Sequence, residues 1–323
     1  MMRAAYVTEL GTPANIQVGE LAEPKLGALD VLVRTQALAV NFVDTLVRSG
    51  RYPTPKTFPF VIGRDLVGVV TAKGDAVDGF GAGDAVWSNS LGHRGLQGSF
   101  AEFAAVPHDR LYPLPDGADP VETVALLHPA GTAYLALFRE ARLRYGETVV
   151  VSGAAGAVGS TAVQFAAASG AHVVATAREE DADCCRSAGA EVVFDYRDPD
   201  LWARIGAAAP GGVHVFLETS RHYDFPQTLP LLARGGRFIL ITSMGPPVQL
   251  PLEQLYLRDA SLRGFTISTA TVTDLAEAAR AINDGVSRRL LRVRIGTQLP
   301  LEASAQAHRL MEEGTRGRIV VLP

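Results

Sequence analysis

Cysteine is almost absent from this chain of 323 residues, which has only Cys184 and Cys185. Two adjacent cysteines provide neither a disulfide framework nor the spaced thiolates of a zinc site. The histidines are scattered as well, and zinc needs thiolate, imidazole or carboxylate groups that converge on one point. We therefore expect no bound metal, and we expect both cysteines to be reduced thiols on a helix of a cytosolic protein.

The chain also lacks an excess of positive charge and long apolar runs. Its formal net charge is −4, so the composition gives no electrostatic support for a nucleic-acid partner. No apolar run approaches the roughly 20 residues needed to span a bilayer, and residues 1–20 lack the pattern of a signal peptide. With 47% hydrophobic and 20% charged residues, the composition predicts a soluble, cytoplasmic, globular protein with no membrane partner.

What the chain does have is a glycine-rich loop between a buried strand and a helix. A β-branched run at Val149–Val151 predicts a parallel strand, and apolar spacing predicts a helix over residues 158–169. The loop between them has Ala154, Gly156 and Gly159 in the pattern Ala-x-Gly-x-x-Gly, which differs from the dinucleotide fingerprint by one alanine.

Small residues in such a loop let a pyrophosphate approach the backbone N–H groups at the start of the helix. A second predicted strand, His172–Ala177, completes the βαβ unit that the fingerprint requires. An ordinary strand-to-helix turn is the alternative. The pattern predicts a bound dinucleotide whose pyrophosphate lies on the backbone of five consecutive residues: Ala155, Gly156, Ala157, Val158 and Gly159.

Two kinds of sequence pattern divide the chain. Up to about residue 125, short strands alternate with Gly, Pro and Asp turns, which predicts a β-rich lobe. Predicted helices at Val121–Leu127 and Gly131–Arg142 then lead into alternating strands and helices, the pattern of a doubly wound parallel sheet. We expect the last strands to return to the first lobe. The predicted fold class is α/β, with a Rossmann domain at residues 124–267 and a β-rich catalytic domain at residues 1–123 and 268–323.

Five stretches carry a resemblance to a known family, and they run along nearly the whole chain: Asn41–Pro53, Gly63–Gly68, Ala154–Gly159, Asp195–Arg197 and Gly317–Val320. With them the chain resembles the medium-chain dehydrogenases/reductases, in particular their zinc-free quinone oxidoreductase branch. The resemblance implies a GroES-like fold for the β-rich domain. Zinc alcohol dehydrogenases of this superfamily have a cysteine at the position of Asn41 and a His-Glu pair at Arg64 and Asp65, so the resemblance also implies a site without zinc.

The end of the second strand bears on the choice of nicotinamide coenzyme. NAD-binding units place an acidic residue there, whereas this chain has Ala177 followed by Arg178, and an arginine can pair with a 2′-phosphate. The resemblance adds Tyr196, which quinone oxidoreductases use at the adenine end of NADPH. The acidic run 179–181, where many relatives have a lysine, counts against NADPH, although it also suits the first turn of the next helix. NADPH is expected in preference to NADH.

Reduction of an already activated acceptor is the chemistry that suits a site without a Lewis acid. The resemblance implies hydride transfer from NADPH to a quinone or an α,β-unsaturated carbonyl, with Tyr52 or water as the proton donor. Tyr52 is alternatively a packed aromatic beside Pro53, and Asn41, expected to contact the substrate or the cofactor amide, is alternatively a loop cap. Two other functions stay open: a zinc-type alcohol dehydrogenase, and an NADPH-binding sensor or structural protein without turnover.

The resemblance also implies further coenzyme contacts. Thr132 matches a threonine that touches the nicotinamide, although a plain helix N-cap would look the same. The nicotinamide ribose and amide are expected against residues that follow the fifth strand or lie near the edge strand: Ser243, Met244, Phe265 and Ile267. His93 and His128 stay open as residues of loops near the substrate cleft. Asp44 and Arg48 are expected to form an i,i+4 pair on one helix.

The strand predicted at residues 261–267 is apolar and β-branched, and the predicted topology leaves it at the edge of the doubly wound sheet. An exposed edge needs cover, and two copies related by a two-fold axis can pair there in a contact that closes on itself. The alternative is that a helix or the C-terminal tail of the same chain covers the strand. We expect a homodimer through strand 261–267, as the resemblance also implies.

Overall fold

The computed structural model describes residues 1–242 and 245–323. The strands are β1 (Met2–Val7), β2 (Gln17–Leu21), β3 (Asp30–Ala39), β4 (Phe60–Val61), β5 (Asp65–Lys73), β6 (Ala85–Ser88), β7 (Phe103–Pro107), β8 (Tyr112–Pro113), β9 (Thr148–Ser152), β10 (His172–Ala177), β11 (Val192–Asp195), β12 (Val213–Glu218), β13 (Leu232–Leu240), β14 (Ser261–Gly264), β15 (Ile295–Pro300) and β16 (Arg318–Leu322). The helices are α1 (Phe42–Ser49), α2 (Pro120–Tyr134), α3 (Ala157–Ala168), α4 (Ala182–Ser187), α5 (Leu201–Ala208), α6 (Phe225–Thr228), α7 (Leu252–Leu257), α8 (Val272–Ser287) and α9 (Ser304–Glu313).

The described chain forms two compact units. The first comprises Met1–His128, Leu275–Ser287 and Val293–Pro323, and the second comprises Pro129–Asp274 and Arg288–Arg292. The chain changes units inside helices α2 and α8, whereas the predicted domain boundaries fall at residues 123 and 267. The difference arises because the sequence pattern changes near the start of each helix, whereas the unit against which the helix packs changes part of the way along it.

The second unit is built on a parallel sheet with the strand order β11-β10-β9-β12-β13-β14. Val149, Val150 and Val151 of β9 are completely buried, which explains why this strand is a continuous apolar run rather than an alternating one. The sheet grows in one direction from β9 to β11 and in the other from β12 to β14. This doubly wound order confirms the predicted fold class, and ligands of such sheets bind beyond the carboxyl ends of the strands at the switch point.

The first unit contains a mostly antiparallel sheet with the order β15-β16-β3-β5-β6-β8, and β7 also pairs with β3. A second sheet has the order β2-β1-β4. Strand β16 lies antiparallel to β3, with Val320 opposite Ala39, so the last strands do return to the N-terminal lobe as predicted. This pairing carries Arg318, at the start of β16, to the residues that follow β3.

Helix α2 corrects the prediction of two helices at Val121–Leu127 and Gly131–Arg142. The structure has one helix that continues through Pro129 and ends in a π-helical turn at Leu135–Glu140. Pro129 has no N–H group, so it cannot donate to the carbonyl of Ala125 one turn earlier. The side chain of Arg318 donates to that carbonyl instead, from Nε at 2.8 Å.

By length and composition alone, the same helical segment, Pro120–Glu140, could cross a membrane, since its mean hydropathy is 1.2. In this protein 72% of its most apolar window is buried inside the fold. Packing within the core therefore accounts for its apolar composition.

The edge strand of the second unit is shorter than predicted. Strand β14 ends at Gly264, and Ile267–Thr269 form a short 3₁₀ turn rather than the end of a strand. Side chains in the turn face inward: Ile267 and Ser268 are both buried. In the described sheet β14 pairs with β13 alone, so its outer side is an edge, as the sequence predicts.

Candidate functional site

The glycine loop of the second unit joins β9 to α3 at the switch point of the sheet. Gly156 immediately precedes α3, has an extended backbone, and is exposed. A Cβ atom added at Gly156 would approach only the carbonyl oxygen of Gly153, at 3.2 Å, and no other heavy atom within 4 Å. The space in front of the first N–H groups of α3 is therefore open, as an approaching anion requires.

Two other glycines shape the loop from inside. A Cβ atom at Gly159 would lie 2.2 Å from the carbonyl oxygen of Gly153, so α3 packs against the loop at a distance that only glycine permits. Gly153 has a φ of +74°, and a Cβ atom there would meet the Thr219 hydroxyl at 2.9 Å. The sequence did not predict that Gly153 shapes the loop. The fingerprint places Ala154 at the first small position, and the need for a positive φ leaves no periodic pattern in the sequence.

Arg178 and Tyr196 are brought together at the ends of two neighbouring strands. Strand β10 is parallel to β11, with Ala177 opposite Asp195, and each predicted residue follows its strand directly. Arg178 Nε donates to Tyr196 Oη at 3.3 Å, and both side chains are about half exposed. The predicted adenosine end of the coenzyme thus has an arginine and a tyrosine side by side on an accessible surface.

The other predicted coenzyme residues of the second unit lie on different elements. Thr132 is inside α2, so the N-cap alternative is wrong, and its buried hydroxyl has no hydrogen-bond partner in the described chain. Phe265 is half-buried beneath the guanidinium of Arg139, which lies 5.2 Å from the ring centre. Ile267 is buried in the 3₁₀ turn after β14. Ser243 and Met244 lie outside the described residues.

A carboxylate that was not predicted also lies at the switch point. Glu218 ends β12 opposite Ser152 and is buried. It accepts hydrogen bonds from the Ser220 N–H at 2.5 Å and from the Ser220 hydroxyl at 2.6 Å. Burial raises the pKa of Glu218 despite these bonds. The only feature of the sequence that could have indicated this buried carboxylate is that a single charged residue ends an otherwise apolar strand.

In the first unit Asn41 belongs to a buried ion cluster, which we define as Asp44, Arg64, Asp65 and Arg318 together with Asn41. The Asn41 amide lies between two of these side chains: Nδ2 donates to Asp65 at 3.0 Å, and Oδ1 accepts from Arg318 Nη2 at 2.7 Å. Asn41 is only 2% exposed. These bonds fix the orientation of the amide.

Asp44 and Arg48 do not form the predicted pair. The Asp44 carboxylate accepts from the backbone N–H of Asn41 at 2.8 Å and faces Arg64 Nε at 3.8 Å. Arg48 pairs with Glu312 of α9 instead. Tertiary contacts outweigh the local spacing, because leaving a buried charge without a partner is strongly destabilising.

The cluster contains two arginines and two carboxyl groups, so its formal charges balance. Burial raises the pKa of Asp65 to about 7, against the opposing effect of the Asn41 hydrogen bond. Burial likewise raises the pKa of Asp44 to about 6, although the nearby Arg64 acts in the opposite direction. Burial and the charge of Arg64 lower the pKa of His128 well below its ordinary value, which favours the neutral imidazole.

Tyr52 packs against the hydrophobic core of the first unit and is half-buried. The guanidinium of Arg64 lies 5.9 Å from the centre of its ring. Tyr52 is therefore packed against the core and makes a cation–π contact with a buried guanidinium.

The residues of the cluster do not fit a zinc ion. Arg64 stands where zinc alcohol dehydrogenases have a histidine ligand. The amide of Asn41 is hydrogen-bonded to Asp65 and Arg318. The two guanidinium groups also balance the formal charges of the two carboxyl groups. In the described part of the chain no group of three or more His, Cys, Asp or Glu side chains is arranged to hold a metal ion. Zinc sites need anionic or neutral donors that converge on one point, and two fixed cations oppose that.

A doubly wound sheet with a glycine loop at its first crossover, in one chain with a β-rich unit that buries polar side chains, is the architecture of dinucleotide-dependent oxidoreductases. Two family models match the chain: a zinc-binding dehydrogenase model over residues 157–284 and an alcohol dehydrogenase GroES-like domain model over residues 27–116.

Known proteins resemble the chain over its full length. A quinone oxidoreductase of Lama guanicoe is 34% identical over 327 residues, which cover 100% of this chain and 98% of that protein. Two solved structures cover 100% of both chains: a mycobacterial protein complexed with NADPH, at 29% identity and a TM-score of 0.87, and an NAD-dependent alcohol dehydrogenase, at 30% identity and a TM-score of 0.90. The chain belongs to the quinone oxidoreductase branch of the medium-chain dehydrogenase/reductase superfamily.

Proposed function

We propose that this protein is an NADPH-dependent reductase that transfers a hydride to a quinone or an α,β-unsaturated carbonyl without zinc. The observation that carries the proposal is the pair formed by Arg178 and Tyr196, whose Nε and Oη atoms are 3.3 Å apart at the carboxyl ends of β10 and β11. Adenosine ribose lies at this end of a dinucleotide-binding sheet, and an arginine there can hold a 2′-phosphate. The mycobacterial relative complexed with NADPH supports the same coenzyme.

The residues present fit this coenzyme. The open approach at Gly156 and the N–H groups of Ala157, Val158 and Gly159 would hold the pyrophosphate, with Ala155 at the turn. The unpartnered hydroxyl of Thr132 would donate to or accept from the nicotinamide end. Phe265 and Ile267, with Ser243 and Met244, stay proposed contacts of the nicotinamide ribose and amide.

When bound, NADPH supplies a hydride from C4 of its nicotinamide ring. The chain's own residues then have to stabilise the oxygen that gains negative charge and deliver a proton to it. We propose Tyr52 as the proton donor, because its side chain is partly exposed and carries a hydroxyl group that can donate, with water as the alternative donor. Asn41, whose amide is oriented by Asp65 and Arg318, stays a proposed contact of the substrate or the cofactor amide.

Quinones and enones are the proposed acceptors because they need no Lewis acid to accept a hydride. A zinc-type alcohol dehydrogenase is disfavoured by the donor set of the buried ion cluster. An NADPH-binding protein without turnover would have the same glycine loop and the same Arg178–Tyr196 pair. Steady-state oxidation of NADPH with a panel of acceptors distinguishes the proposed reductase from a binding protein without turnover.

Replacing Arg178 with alanine should raise the Michaelis constant for NADPH about 10- to 100-fold and leave that for NADH nearly unchanged. Only NADPH carries the 2′-phosphate, and a charge-assisted hydrogen bond to it contributes about 1.5–3 kcal/mol. Arg186→Ala is the matched control, because Arg186 is an exposed arginine of the same unit that pairs with Asp183. Equal effects of Arg178→Ala on both coenzymes would rule out the assignment of Arg178 to the phosphate.

We further propose a cytoplasmic homodimer in which the exposed edge of β14 pairs with a second copy. Support comes from the unpaired outer side of β14 in the described sheet. Sedimentation at micromolar concentration should give about twice the chain mass of 34.3 kDa. A single species at the mass of one chain would contradict the dimer.

A further inference from the structure

A carboxylate lies against the two arginines at the proposed phosphate position. Glu180 belongs to the short turn Glu179–Asp181, which precedes α4. Its Oε1 atom is 4.0 Å from Arg178 Nη1, and its Oε2 atom is 3.8 Å from Arg197 Nη2. The acidic run is thus more than the start of the next helix, because one of its members reaches back to the end of β10.

The other contacts of the two arginines define what Glu180 does there. Asp195 holds Arg197 firmly, at 3.0 Å from Nε and 2.6 Å from Nη2. Arg178 Nε donates its hydrogen bond to Tyr196 Oη. Nη1 of Arg178 faces Glu180. The same nitrogen can donate a hydrogen bond to a phosphate, because Nε is already bonded to Tyr196.

The contacts of Glu180 with the two arginines are long. Both distances exceed ordinary hydrogen-bond length, and the side chain is 47% exposed, so the attraction is a screened one between solvated charges. A phosphate, with nearly two negative charges, would make stronger bonds to the same guanidinium groups. It would also meet the repulsion of the Glu180 carboxylate unless that side chain moves away.

We infer that Glu180 sets the coenzyme preference of this protein by competing with the 2′-phosphate of NADPH for Arg178 and Arg197. The same carboxylate can accept a hydrogen bond from the free 2′-hydroxyl of NADH, the role that an acidic residue has in NAD-binding units. This inference rests on the proposed function and deepens it: the chain should use both coenzymes, with a preference for NADPH that Glu180 limits.

Glu180→Gln tests the inference, with the dissociation constants of NADPH and NADH measured by quenching of protein fluorescence. The variant should bind NADPH about three- to tenfold more tightly, the range expected when one exposed like charge is removed from beside a phosphate. Binding of NADH should be unchanged or weaker. The gain for NADPH should shrink at high ionic strength, because salt screens the repulsion.

Glu179→Gln is the matched control, since it removes the same charge one residue earlier. In the described part of the chain Arg178 and Arg197 form ion pairs with Glu180 and not with Glu179. Adenosine 2′,5′-bisphosphate and adenosine 5′-monophosphate serve as further probes, and only the first should bind the Glu180→Gln variant more tightly.

Three results would overturn the inference. NADPH affinity that does not rise in Glu180→Gln, or that rises equally in Glu179→Gln, would show that Glu180 does not compete with the phosphate. An equal gain for NADPH and NADH would do the same. In all three cases binding of NADPH by the unchanged protein would leave the proposed function intact, whereas an unchanged protein that binds neither coenzyme would contradict both the inference and the proposed function.

Discussion

Replacing Gly156 with valine is expected to abolish measurable binding of both NADPH and NADH while the chain still folds. The backbone of Gly156 is extended with a φ of −73°, which any residue can adopt, and a Cβ atom meets only one neighbour, at 3.2 Å. The branched side chain would then occupy the space through which a pyrophosphate reaches the start of α3. Loss of two charge-assisted hydrogen bonds corresponds to a decrease in affinity on the order of a hundredfold or more.

Gly211→Val provides the control for this variant. Gly211 is a glycine of the same unit with no heavy atom within 4 Å of an added Cβ atom, and it lies just before β12, at the end of the sheet remote from the glycine loop. It should bind both coenzymes normally. Coenzyme affinity that survives in Gly156→Val, in protein whose circular dichroism is unchanged, would remove the glycine loop from the binding site.

The second large effect is expected from Arg318→Met, which should lower the free energy of unfolding by about 3–5 kcal/mol. Arg318 is 5% exposed and donates to the Asn41 amide and to the Ala125 carbonyl. Methionine fills a similar volume but leaves both acceptors without their donor and removes a positive charge that faces Asp65. Urea unfolding followed by circular dichroism measures the loss.

Arg309→Met serves as the matched substitution, because Arg309 lies on the exposed side of α9 in the same unit. Surface changes of this kind alter the free energy of unfolding by about 0.5 kcal/mol or less. If Arg318→Met cost no more than Arg309→Met, the buried ion cluster would not be a stabilising feature of the first unit, and the fixed orientation of Asn41 would lose its support.

The features that could be predicted from the sequence are local or periodic. The β-branched run 149–151, the small residues of the loop and the second strand are close together in the chain, so their pattern specifies a βαβ unit without knowledge of the rest. The juxtaposition of Arg178 and Tyr196 follows from the same logic, since both come directly after neighbouring parallel strands.

The buried ion cluster could not be predicted, because its contacts join distant parts of the chain. Arg318 reaches Ala125 only because β16 lies beside β3 and because Pro129 leaves that carbonyl without a donor. Helical spacing favoured a pair between Asp44 and Arg48, yet Arg64 and Glu312 are the partners that the fold brings to them. Which charge a buried group pairs with is decided by tertiary packing, and local spacing carries no information about it.

The most direct test of the proposed function is the consumption of NADPH, followed at 340 nm, with quinones and enones as acceptors and with metals removed by a chelator. The proposal predicts acceptor-dependent oxidation of NADPH that is unchanged by the chelator and faster than with NADH at low coenzyme concentration. Tight binding of NADPH without turnover of any quinone or enone would contradict it, as would activity that is lost with the chelator and restored by zinc.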